Sequence, residues 1–276
     1  MSNPVFDNSA IFGDPRKKPR GRAAQGTVAT AGSYGTATAG YDAAALNQMY
    51  AAPSATTADT GRLTYDDVIM KTAGLLAVLV LTGAATWLLA PGLWMVGAVV
   101  GLVLGLVNAF KKSPSPALIL LYAAAEGVFL GGISAFFETS YRGIVGQAVL
   151  ATLAVFGTSL VLFRSGKVRV TPKFTKVLML SMVGYLVFSF LNVGLMLFGV
   201  GGGAYGPLRS GPAGIVVGLV AVGLAAMSLV VDFDSIQRGV RQGVPAKFAW
   251  SAAFGLVVTL VWLYLELLRL LAILRN

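Results

Sequence analysis

The stretch PALILLYAAAEGVFLGGISAFF, residues 116–137, decides the fold. A bilayer core takes about 20 helical residues to cross, and these 22 are long enough. A single ionisable acid interrupts the run. Glu126 lies ten residues past Pro116, which is about 15 Å along a helix rising 1.5 Å per residue. A carboxylate at mid-bilayer costs roughly 2.5–3.5 kcal/mol on insertion scales, so it needs a protein partner, a water-filled cavity or a proton. Two readings of Glu126 stay open: a protonated carboxyl bonded to a neighbouring helix, or a lining group of a polar path. The flanking glycines allow close helix packing under either reading.

The rest of the chain is similar material. Of 276 residues 56% are apolar and 12% charged, about half the charged share of a soluble domain. Mean hydropathy is +0.77. The expectation is an all-α polytopic membrane protein whose immediate partner is the lipid bilayer. There is no Cys, which excludes disulfides, thiolate nucleophiles and thiolate metal sites. There is no His, which excludes imidazole acid–base chemistry and the common zinc motifs. No resident metal or cofactor is expected.

From Lys71 onward seven stretches are long enough to cross: Thr72–Leu89, Leu93–Phe110, Pro116–Phe137, Ile144–Phe163, Phe174–Val200, Ala213–Val231 and Phe248–Ile273. Only Ala90-Pro91-Gly92 separates the first two, which suggests a helical hairpin. The net charge of +10 does not indicate nucleic acid, because the cations sit in short loops. Seven lie in the N-terminal region through Lys71. Lys111 and Lys112 follow the second span. Arg164, Lys167, Arg169, Lys173 and Lys176 follow the fourth, and Arg238, Arg241 and Lys247 follow the sixth. The opposite loops hold only Arg142, Arg209 and Arg275. Lys and Arg favour the cytoplasmic side. The N-terminus is therefore expected in the cytoplasm and the C-terminus outside a cytoplasmic membrane, which requires an odd number of spans.

Residues 1–62 are expected to be a disordered cytoplasmic tail, and 63–276 the seven-helix transmembrane domain. The tail is rich in Ala, Gly, Thr, Ser and Asn, and Arg16 to Arg22 packs five cations into seven positions. It reads as a solvated segment or as a tether to anionic headgroups. No apolar run follows these cations closely enough for a signal peptide. A formal GxGxxG at Gly201, Gly203 and Gly206 follows a transmembrane helix and lacks a βαβ setting, so it reads as a connector.

Only five acids lie in or beside the spans. Glu138 stands four residues before Arg142, an i,i+4 ion pair. Asp232 and Asp234 end the sixth span. Two residues apart is about 200° around a helix, so they point to different sides. They read as an interfacial cap opposite Arg238 and Arg241, or as a gate. Glu266 lies in the outer half of the last span with Arg269 at i+3, and reads as a local ion pair or a transport site.

Three pieces of sequence carry a resemblance: Ala125-Glu126-Gly127-Val128-Phe129-Leu130-Gly131, then Phe233-Asp234-Ser235-Ile236, and finally Leu267-Leu268-Arg269-Leu270-Leu271. In this order the chain from about Leu63 resembles the Bax inhibitor/YccA family, the transmembrane Bax-inhibitor-motif proteins, and looks most like a divergent bacterial branch. The first 60 residues lie outside that likeness. The resemblance implies a seven-helix bundle with the last helix at its centre. It also implies a pH-sensitive calcium leak, in which an aspartate of the sixth helix and one of the seventh share a proton.

Carried over, Asp234 takes the sixth-helix position, with Asp232 a near alternative. Matching Leu263-Tyr264-Leu265-Glu266 makes Glu266 the seventh-helix partner; matching the terminal Leu-Leu-Arg puts Thr259 there. Depth favours Thr259, and Glu126 is a further candidate partner for Asp234. The expected cargo is calcium ions and protons. The rival expectation is a non-conducting regulator that binds a membrane protease or another membrane protein. An enzyme is not expected, since His is absent and so is the G-x-G-D of intramembrane aspartyl proteases.

Overall fold

The computed structural model describes residues 61–167, 170–200 and 205–275. The expected tail therefore lies, apart from its last two residues, outside the described residues. The described residues all belong to one compact unit.

Seven long helices follow one another: α1 Tyr65–Leu89, α2 Trp94–Phe110, α3 Pro116–Ser140, α4 Ile144–Arg164, α5 Pro172–Leu197, α6 Gly211–Arg241 and α7 Ala249–Leu274. With the short turns that lead into α2 and α7, all seven are long and apolar enough to cross a membrane. Short 3-10 turns at Pro91–Leu93 and Ala246–Phe248 precede α2 and α7. Among the described residues there is no sheet, only one antiparallel bridge between Arg62 and Pro245. The chain enters α1 at what is here termed the near end of the bundle, and α7 finishes at the far end.

Two boundaries differ most from expectation, for local reasons. The first helix starts at Tyr65 rather than Thr72 because Thr64 caps it: the Asp67 amide donates to Thr64 Oγ1 at 3.0 Å, and the Thr64 hydroxyl donates back to the Asp67 carboxylate at 2.8 Å. The first of these bonds satisfies one amide left free at a helix start, and the second fixes the capping hydroxyl. The sixth helix runs on to Arg241, well past Val231. Asp232 and Asp234 therefore lie in the body of a helix, not at its end.

The expected hairpin of spans one and two is also corrected. Helices α1 and α2 pack mainly on α3, not on each other. Glycines explain why. A Cβ on Gly131 would strike the Gly83 backbone of α1, and one on Gly127 would strike Leu79 O and the Thr82 hydroxyl. On the α2 side, a Cβ on Gly97 would lie 2.5 Å from the Phe129 amide nitrogen. In lipid, helices gain little from hiding apolar surface and associate through such close backbone approach. The glycines around Glu126 thus let α3 serve as the post between α1 and α2.

Helix α7 is at the centre. It packs against α1, α3, α4 and α6. Val257, Tyr264 and Leu268 join the core formed with α1 and α3, while Leu256, Leu263 and Leu267 join that formed with α6. A helix apolar on every side is one buried on every side. Helix α5 is peripheral, with α6 its main packing partner. Outward residues such as Leu89, Phe110, Leu197 and Phe198 are exposed, as a lipid-facing surface requires.

At the near end the chain leading into α1 is stitched to the α6–α7 connection. The Leu63 amide donates to Val244 O at 2.7 Å, and the Ala246 amide donates to Gly61 O at 2.8 Å. Leu63 is buried against Phe233 and Leu256. The bundle thus includes residues 61 and 62, which the expected boundary had assigned to the tail.

Candidate functional site: the carboxylates around the central helix

The two aspartates of α6 part company as their spacing predicts. Asp232 turns inward, and the Thr259 hydroxyl of α7 donates to its Oδ2 at 2.8 Å. Asp234 instead forms an i,i+4 ion pair with Arg238 at 3.0 Å. The preferred sixth-helix assignment is therefore corrected. The acid that meets the seventh helix is Asp232, because α6 continues as a regular helix and carries Asp234 about 200° further round. Neither Thr259, Glu266 nor Glu126 is the partner of Asp234.

Thr259 has a second acceptor within reach, the Gly255 carbonyl one turn earlier, at 3.1 Å. A hydroxyl carries one hydrogen, so the two acceptors compete for it. Asp232 and Gly255 both line a cavity of about 590 Å³ at the near end. Ser235, Arg238, Gln242 and Ser251 give it further polar groups, and Leu63 forms part of its wall.

Glu126 is 9% exposed, in the middle of α3. Gly101 of α2 makes its space: a Cβ there would stand 2.9 Å from Glu126 Oε1. Tyr122, one turn earlier on α3, interacts with the carboxyl through its hydroxyl. Glu126 thus belongs to the α2–α3 contact.

Glu266 is 4% exposed and heads a third group, in the far half of the bundle. It pairs with Arg269 on its own helix and accepts a hydrogen bond from the Tyr185 hydroxyl of α5. Trp262 Nε1 donates to the same carboxylate at 3.2 Å, and the Arg269 guanidinium donates to the Tyr185 hydroxyl at 3.2 Å. The local ion pair with Arg269 is therefore present, with a connection to α5 added.

Glu138 does not pair with Arg142. Its carboxylate accepts the amides of Gly143 and Val145 instead, the latter at 3.2 Å. Gly143, at φ 78°, turns the chain so that the first amides of α4 face back toward the end of α3. Free amides at a helix start attract a carboxylate strongly, whereas an exposed ion pair gains little. Arg142 is exposed, and its backbone carbonyl accepts from the Arg275 side chain.

Sequence reasoning did not single out Tyr122, Tyr185, Trp262 or Arg209 as site residues. An aromatic in a span reads as packing or as an interfacial anchor. The available signal was the position of Tyr185, well inside its span.

A central helix held by single polar side chains from α6 and α5 now stands beside the motif order read from the sequence. A profile of the family described as Bax inhibitor 1 like matches residues 3–276. The chain belongs to the Bax inhibitor 1 like family. The match begins near the N-terminus, so it takes in the segment that the motif likeness, starting at Leu63, left outside. Comparison with curated proteins returned no match. Of the two residues that the likeness offered as the seventh-helix partner, Thr259 and Glu266, it is Thr259 that bonds an acid of the sixth helix, Asp232.

Proposed function

We propose that this protein is a proton-modulated cation leak of the cytoplasmic membrane, with calcium its principal cargo. The observation that carries the reading is the Asp232–Thr259 hydrogen bond beside a cavity, with polar groups in an otherwise apolar wall, at one end of the bundle. The distribution of Lys and Arg favours that end as the cytoplasmic one. Ions would enter through the cavity, and Asp232 would supply a carboxylate oxygen, the ligand type calcium prefers. Weak, successive sites suit conduction better than one tight cage. Glu126 and Glu266 stand apart from Asp232, each with its own neighbours.

Protonation supplies the switch. While Asp232 is ionised it only accepts, and the Thr259 hydroxyl donates to it. Once protonated it becomes a donor. Thr259 can then accept from Asp232 and give its own hydrogen to Gly255 O. The contact between α6 and α7 thereby changes its sense without needing a second carboxylate. This mechanism is a conduit with no covalent step, so the protein would not be an enzyme.

The test is calcium flux into liposomes holding the purified protein, between about pH 5 and about pH 8, the range over which perturbed carboxyls titrate. Asp232→Asn fixes the neutral form and should flatten the pH dependence, while Asp234→Asn should retain it. A pH response unchanged in Asp232→Asn overturns the switch. Silence of the wild type at every pH would instead favour a regulator that binds a membrane protease or another membrane protein.

A further inference from the structure

The polar group at the far end holds more positive charge than its one acid can neutralise. Arg209, from the connection before α6, is 9% exposed. Its guanidinium lies over the Tyr185 ring, 5.0 Å from the centroid, and over Phe188 at 5.6 Å. It donates to the Ser189 hydroxyl. Among the described residues no carboxylate pairs with it. The one acid of the group, Glu266, is taken by Arg269. Tyr185 therefore holds two guanidiniums, Arg209 on its face and Arg269 at its hydroxyl, and the two lie within electrostatic reach of each other. Residues 201–204 of the same connection carry no charge.

A buried charge left without a counter-ion acts over a longer range than an exposed one, because little water screens it. We infer that Arg209 is an electrostatic barrier to cations at the far end of the bundle, and so a selectivity-determining residue of the proposed leak. The inference rests on the leak reading for its role, but the charge itself can be measured without conduction. Fixed arginines exclude cations from other pores by the same physics. The work of passing a fixed charge scales with valence. Neutralising one uncompensated charge is therefore expected to raise monovalent cation flux about tenfold and divalent flux about a hundredfold.

The absence of Cys makes the test direct. Leu208→Cys puts the only thiol next to Arg209. Its modification rates with an anionic and a cationic thiosulfonate reagent of similar size report the local potential. The anionic-to-cationic rate ratio should fall about tenfold on adding Arg209→Gln. It should hold with Arg209→Lys, and with Ser189→Ala, which removes the hydrogen bond and keeps the charge. In liposomes, Arg209→Gln should leak more calcium than wild type, and Arg209→Lys should not.

A ratio unmoved by Arg209→Gln overturns the inference. So does a loss equally large in Arg209→Lys, which would mark a packing defect. A fallen ratio with wild-type calcium flux in Arg209→Gln removes the barrier role while leaving an Asp232-dependent leak intact. A fallen ratio with no flux in any variant overturns the leak itself, and the barrier role with it.

Discussion

Thr259 of the central helix donates to Asp232 of α6 across 2.8 Å. A hydroxyl both gives and takes a hydrogen bond, so Thr259 can bond Asp232 in either protonation state. Removing the hydroxyl should therefore cost stability as well as function. Thr259→Val keeps the shape and leaves Asp232 without its donor, a loss of about 1–3 kcal/mol for a buried polar group. Thr259→Ser restores the donor and should recover most of it. Thermal unfolding in lipid nanodiscs measures both. Equal stability of the valine and serine variants would show that the bond contributes nothing.

The close approach of α1 and α3 predicts a sharp contrast between two glycines. A methyl at Gly131 meets the Gly83 backbone, which has no side chain to move aside. Gly131→Ala should destabilise by about 1–3 kcal/mol through overpacking. A methyl at Gly146 meets nothing within 4 Å, and Gly146→Ala should be neutral or stabilise by up to about 1 kcal/mol through the lower entropy of the unfolded chain. The same unfolding assay separates them, and similar melting temperatures for the two variants would argue against the α1–α3 contact.

Much of this was legible in the sequence. Length and hydropathy define a span whatever its neighbours, so all seven helices could be read from runs of apolar residues. The 200° between Asp232 and Asp234 was equally readable, because it depends only on helix geometry. Which of the two faces α7 was not, since that depends on where α6 ends, and hydropathy ends a helix where polar residues begin. The helix continues there because its backbone bonds do not require apolar side chains. The hairpin expected from Ala90-Pro91-Gly92 failed for a related reason. A short turn fixes the connection, but the glycines of α3 decide what lies between the helices. Tyr185 and Arg209 come from separate parts of the chain, and only tertiary packing brings them to Glu266 and Arg269.

Glu138 and Arg142 give a test of capping against ion pairing. The carboxylate bonds two amides at the start of α4. Glu138→Ala should cost about 0.5–2 kcal/mol, as loss of an N-terminal cap does. Arg142→Ala removes only an exposed side chain and should stay within about 0.5 kcal/mol of wild type. Double-mutant analysis should find no coupling between the two positions. A coupling as large as the Glu138 effect itself would restore the ion pair in place of the cap.

The loop charges predict an orientation for the bundle, and the lack of cysteine allows it to be tested residue by residue. Eleven of the 15 described Lys and Arg lie toward the near end; Arg142, Arg209, Arg269 and Arg275 are the others. Each misplaced cation opposes translocation, so the near end should face the cytoplasm. Ser113, between α2 and α3, and Thr139, at the end of α3, are both exposed and at opposite ends of one helix. In intact cells a membrane-impermeant thiol reagent should label Thr139→Cys and spare Ser113→Cys, and permeabilisation should expose the second. The reverse pattern would turn the bundle over. The cavity beside Asp232 would then open outside the cell, and the Arg209 group would guard the cytoplasmic side instead.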